Sequence, residues 1–199
     1  LDLSVLGLGV VDTVMDCDIF QDQPASYVIK AALEYLGYRV SFSGTLDEGF
    51  YLTRISRASA FEGVAIPEEL LELDRKTIKV PKPAIANDSL GEFDYTTASG
   101  WMYSINGSTY PGRGMSGYFL SDGDVLTLRF TLAYGKDIGG STGGNTGALQ
   151  KYCGKWIDGS YIPNHTYKDG VCAVCGAVDP NHQHTETETV TKAATCTEP

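Results

Sequence analysis

The sequence predicts an α+β fold followed by a small, irregular Cys/His-containing tail. Three observations carry that expectation. One amphipathic helix signal runs from Asp22 to Gly37. Short apolar or alternating runs lie on both sides of it, the longest closing at Tyr134. Five glycines then fall within Gly139–Gly147, and four of the five cysteines follow them. A single main helix between runs of strand suggests a sheet with that helix packed on one face.

Taken in order, Val5 to Val11 and Cys17 to Phe20 read as strands. Asp22 is placed to cap the helix and Pro24 suits its first turn. Val28, Ile29, Ala32, Leu33 and Leu36 follow at helical spacing, and Gly37 is placed to end it. Val40–Phe42 and Phe50–Ile55 read as strands. Pro67–Leu73 reads as a short helix, and Thr77–Val80 as a strand stopped by Pro81 and Pro83. Trp101, Tyr103 and Ile105 alternate with Met102 and Ser104, then Asn106-Gly107 signals a tight turn. Asp122-Gly123 signals another. Leu126, Leu128, Phe130, Leu132 and Tyr134 share one strand face, which leaves Thr127, Arg129 and Thr131 on a face expected to be wet. The expected organisation is a main domain over 1–138, a Gly-rich linker over 139–147 and a Cys/His tail over 148–199. The abrupt start at Leu1 and end at Pro199 read as those of a fragment of a larger protein.

Charge removes some function classes. The net charge is −10, with 11 Lys/Arg against 19 Asp/Glu in residues 1–139 and 4 against 6 beyond. An acidic chain with no basic stripe repels phosphate backbones, so no nucleic-acid partner is expected. No apolar run approaches the ~20 residues that span a bilayer, so no membrane insertion by these residues is expected. Polar character comes from Gly, Ser, Thr, Asn and Tyr rather than from charge, as in many surface-exposed β-rich modules.

Several pieces together resemble the transcobalamin C-terminal-like family of secreted bacterial modules. They are the helix Ser26–Leu36, the strand and turn Ser99-Gly-Trp-Met-Tyr-Ser-Ile-Asn-Gly107, and the hairpin Gly117-Tyr-Phe-Leu-Ser-Asp-Gly-Asp-Val125. The resemblance covers roughly residues 10–138 and implies a β-grasp-like sheet. Residues 56–90 are longer than the usual family connection, and no cobalamin-binding residue carries over. The end, His184 to Pro199, is similar to a Thr-rich repeat of surface proteins from gut Firmicutes, in which a Cys-x-x-Cys-Gly unit recurs. Cys172-Ala-Val-Cys-Gly176 is such a unit here. The two resemblances imply an extracellular or cell-wall-associated location.

The chemistry candidates are few. All three histidines lie in the tail, so no Ser-His-Asp or Cys-His set can form within residues 1–139. Asp16/Asp18 and Asp122/Asp124 are carboxylate pairs, but turn formation already explains the second. In the tail, His165, Cys172, Cys175 and His182 fall within 18 residues and match the ligand types of structural Zn²⁺. Free thiols, a disulfide and an unfolded tail compete with that reading. No cofactor is expected in the main domain. Trp101, Tyr103, Tyr110 and Arg113 are the candidate ligand-binding residues, with core burial the competing role of Trp101 and Tyr103. The function expected is a non-catalytic module that binds a small molecule, a glycan or a surface protein. A purely structural spacer or adhesin module is the alternative, and a carboxylate-based hydrolase the third.

Overall fold

The computed structural model describes residues 1–13, 17–68, 70–71, 85–107, 109–140, 153–157 and 160–182. The expected strand Thr77–Val80, the linker beyond residue 140, Cys196 and the Thr-rich end lie outside them. Among the described residues the fold is mixed: a main α-helix, helical backbone at Glu68, Leu70 and Leu71 where a short helix is expected, and small antiparallel sheets.

The helix α1 spans Ala25–Tyr35. Pro24, not Asp22, is its N-cap; Asp22 lies in a preceding turn with φ 61°. A proline there sacrifices no helical hydrogen bond, because the first N–H groups have no intrahelical acceptor. Gly37 ends the helix in the left-handed region at φ 84°, and the Tyr38 amide donates back to the Leu33 carbonyl. Ala25, Ile29 and Leu33 face the core, while Lys30 and Glu34 form an exposed pair at 2.7 Å. Such a pair contributes only about 0.3–0.5 kcal/mol, so apolar burial holds the helix.

Strands β1 (Arg39–Ser43), β2 (Tyr51–Ser56) and β3 (Ser89–Gly91) form one antiparallel sheet in that order. Strands β4 (Gly100–Ile105) and β5 (Leu126–Thr131) pair antiparallel from Gly100 with Thr131 to Ile105 with Leu126. The chain's first residues extend this ladder. Asp2 bridges Arg129 in parallel and Val10 antiparallel. The order is therefore residues 9–11, residues 1–3, β5, β4. The expected strand Val5–Val11 is broken, because Ser4–Leu6 form a 3₁₀ turn between the two short ladder segments. Gly7 follows at φ 73°, and a Cβ there would overlap the Ala65 carbonyl oxygen. Cys17–Phe20 is likewise a 3₁₀ turn rather than a strand.

The wet face expected for β5 is also overturned. Arg129 is only 4% exposed and Thr131 is buried too. The Arg129 guanidinium lies 3.2 Å from the Asp2 carboxylate and donates to the Gly107 carbonyl at 3.2 Å. The Thr131 hydroxyl donates to the buried carboxylate of Asp137, which also accepts the Leu132 amide. Period-2 polarity marks which residues share a face, but here Arg129 and Thr131 are covered and paired with Asp2, Gly107 and Asp137, while Thr127 is partly exposed and the buried Arg129 Nε has no hydrogen-bond partner among the described residues. Phe130 lies on the opposite face, fully buried, with Trp101 edge-on at a ring separation of 5.0 Å.

Beyond residue 152, β6 (Gly154–Ile157) pairs with β7 (Ser160–Pro163), and β8 (Tyr167–Lys168) with β9 (Val171–Cys172). Trp156 packs against the main core, and its backbone N–H donates to the Asp137 carbonyl.

Candidate functional site

Two hairpins bring four ligand-type side chains together. In the first, Gly154 pairs with Pro163, and one residue further out the Asn164 amide donates to the Cys153 carbonyl at 3.0 Å. Cys153 thereby sits beside His165. In the second, Asp169 and Gly170 turn at φ 52° and 80°, returning the chain through β9 to Cys172. The Gly176 amide donates to the Cys172 carbonyl at 2.9 Å, closing a knuckle that carries Cys172 and Cys175. Gly176 itself sits at φ 76°, a conformation that favours glycine.

The Sγ atoms of Cys153, Cys172 and Cys175 and a ring nitrogen of His165 all lie within 4.8 Å of one another. Cys153 and Cys172 sulfurs are 3.7 Å apart, and Cys175 Sγ is 3.4 Å from His165 Nδ1. A tetrahedral centre with Zn–S near 2.3 Å and Zn–N near 2.0–2.1 Å requires edges of about 3.8 Å and about 3.5 Å. A disulfide requires about 2.05 Å, so these cysteines are free thiols. This Cys3His group could hold a metal ion, and with four protein ligands no position is left for water. Amide N–H groups of Cys175 and Val174 pull the Cys172 thiol down to about 5. Burial, together with the Cys172 sulfur, pushes the Cys153 thiol up to about 12.

The sequence pattern places His182 in this set; the structure has Cys153 in its place. His182 instead lies over the β8–β9 turn, where a Cβ on Gly170 would overlap its ring. The signal for Cys153 is the hairpin. Residues 153 and 164 face each other only because 154–157 pairs with 160–163.

The candidate ligand-binding residues fare differently. Tyr103 is 6% exposed and donates to the Arg113 carbonyl at 2.9 Å. Trp101 is half-buried against Phe130. Tyr110 is half-buried, donates to the Ile138 carbonyl at 2.7 Å and lies beside Gly140. Burial pushes the Tyr103 and Tyr110 hydroxyls up to about 12, so both stay neutral. Tyr110 is thus not the exposed loop residue that its setting among glycines implies: its loop folds back onto the 135–140 turn. Arg113 does face solvent, in a cleft of about 510 Å³ with Asn106, Pro111 and Phe119. A second cleft of about 510 Å³ lies between α1 and the ladder, lined by Val28, Leu33, Leu36, Val10 and Leu126.

Of the carboxylate pairs, Asp16 lies outside the described residues. Asp124 is occupied as a turn residue, accepting from the Ser121 amide and the Asn106 side chain. Comparison with protein-family models, with curated proteins and with solved structures finds no match.

Proposed function

We propose that this chain is a zinc-stapled, non-catalytic binding module of a secreted or cell-surface bacterial protein. The observation that carries the zinc assignment is the Cys153–His165–Cys172–Cys175 group, whose spacings fit a tetrahedral ion. The ion's part is structural: it ties β6–β7 to β8–β9 in a segment whose strands are two to four residues long. Four protein ligands and the concentration of every histidine in the tail favour binding over catalysis.

The resemblance to transcobalamin C-terminal-like modules, and with it a β-grasp-like core, is supported by the ladder. A parallel pair formed by residues 1–3 and β5 stands between residues 9–11 and β4, and α1 lies in sequence between the two halves. The burial of Tyr103 and the half-burial of Trp101 and Tyr110 favour a spacer as the second reading, since three of the four ligand-binding candidates are turned partly or wholly to the interior. Elemental analysis of the purified chain tests the zinc site: about one zinc per chain is expected, and none defeats it. Pull-down with purified cell-wall sacculi separates binding module from spacer: retention supports the first, and passage through unretained supports the second.

A further inference from the structure

We propose that the open face of the β1–β2–β3 sheet, rimmed by Tyr51, Phe93 and Tyr134, binds a neutral polysaccharide. This rests on the binding-module reading and gives it a site and a ligand class. One face of the sheet is committed to the core through Phe42, Leu52, Ile55 and Leu90. The register places Arg39, Ser41 and Ser43 opposite Ser56, Arg54 and Tyr51 on the other face. Arg39, Ser41, Ser43 and Tyr51 are all exposed there.

Three aromatic rings stand in solvent on or just beyond the strands: Tyr51 begins β2, Phe93 follows β3 and Tyr134 follows β5. Tyr51 is 51% exposed, Phe93 57% and Tyr134 39%. None is loose. The Tyr51 hydroxyl donates to Glu92 at 2.5 Å, and the Tyr134 hydroxyl donates to the Thr97 carbonyl at 3.0 Å. The two tyrosines are close enough to interact electrostatically. Phe93 and Tyr134 both have left-handed backbones, at φ 62° and 50°, which bulky residues rarely adopt. One turn holds both: the Phe93 amide donates to the Ser99 carbonyl and the Tyr134 amide to the Ala98 carbonyl. Aromatic residues kept exposed on strained backbone are poorly explained by stability, and strain of this kind gathers at ligand clamps.

The surrounding chemistry selects the ligand. Flat rings stack on the apolar C–H faces of sugars, while Glu92 and the serine hydroxyls suit sugar hydroxyls. Rings fixed in advance lose little entropy on binding. An anionic polymer is disfavoured: of the two cations on this face, Arg54 is engaged by Asp94 through two bonds of 2.6 and 2.7 Å, which leaves Arg39, and the chain carries −10. A cleft of about 870 Å³, lined by Arg39 and Ser56, lies at the end of this face away from Tyr51.

Native affinity electrophoresis of the whole chain in gels containing laminarin, xylan, glucomannan or heparin tests this. At least one neutral polymer is expected to retard the protein. The variant Y51A/Y134A should lose at least tenfold in affinity, while Tyr35→Ala, which removes an exposed aromatic of α1 outside this face, should bind as the parent does. Thermal unfolding checks that the variants fold; should Y51A/Y134A fail to, Ser41→Glu crowds the same face without touching a ring and should also weaken retardation. No retardation by any neutral polymer overturns the proposal, as does unchanged binding by the variants or retardation by heparin alone. Retention on sacculi without response to the neutral polymers would remove this site yet leave the binding-module reading standing. Absence of both would remove the two together.

Discussion

Cys153 changes what the tail can do. Cys-x2-Cys with a nearby histidine is a local pattern, so His165, Cys172 and Cys175 are legible from spacing alone. Cys153 enters only through hairpin pairing, and His182, correct in type, lies over the Gly170 turn. A four-ligand structural site contributes roughly 12 kcal/mol of binding, so losing one ligand costs about 3 kcal/mol, or about 100-fold in affinity. Cys153→Ser is therefore expected to lose zinc against a competing chelator at about that factor, whereas His182→Ala retains it. Equal losses would return His182 to the site. Asp137 presents a second single-residue expectation. Complete burial pushes its carboxyl from 3.8 up to about 6, against the opposing bonds from Leu132 and Thr131. A raised acid binds its proton more tightly folded than unfolded. Its stabilising contribution is thus full below about pH 4 and is lost as pH rises through about 6, at most about 3 kcal/mol. Urea titrations at pH 4 and pH 7 are expected to show this term in the parent and not in Asp137→Asn. Identical pH slopes in the two proteins would mean that Asp137 is ionised without penalty.

Glycines in the connections separate conformation from contact. Gly44, after β1, and Gly107, after β4, both have positive φ, at 75° and 93°. An added Cβ at Gly107 meets nothing within 4 Å, while at Gly44 it overlaps the Gly49 carbonyl oxygen, a backbone atom that cannot swing aside. Gly107→Ala is expected to cost about 1–2 kcal/mol for the left-handed backbone alone. Gly44→Ala adds an overpacking term and should cost about 3 kcal/mol or more. Equal midpoint shifts in denaturant would show that the β1–β2 loop relaxes freely. Elements with strong local signals are legible in the sequence: α1, β1, β2, β4, β5 and the Asn106-Gly107 turn each have a clear period or turn dipeptide. Elements fixed by distant partners are not. Val5–Val11 looks like one strand, but the tight approach of Gly7 to Ala65 divides it. Arg129 looks solvent-facing because alternation cannot reveal that Asp2 will pair with it from the other end of the chain. Tyr110 looks exposed because nothing local marks Ile138 as its hydrogen-bond acceptor.

The main body and the tail are held by different physics, and removing metal should separate them. Residues 1–138 contain a core in which Leu6, Ile29, Ile55, Leu90 and Phe130 are among the fully or nearly fully buried side chains. The described tail residues form two short hairpins, and its described buried apolar side chains include two of the cysteines themselves. Such a segment cannot offset its ordering entropy by burial alone. The seam between them includes Trp156 against the core, its amide on Asp137, and β6 against the Ser4–Leu6 turn. Because Cys153 immediately precedes β6, the strand that carries Trp156, the ligand set and the seam are joined directly along the chain. Chelation should therefore release Trp156 as well as the knuckle. Hydrogen exchange of the zinc-loaded and chelated chain is expected to show β6 to β9 losing protection by at least tenfold, while α1, β4 and β5 keep theirs. Trp156 emission should shift to longer wavelength in the same step and return on adding one equivalent of zinc. Loss of protection in α1 and β5 at the same chelator concentration would mean that the body depends on the tail. Retained protection in β6 would mean that the seam, not the metal, holds that strand.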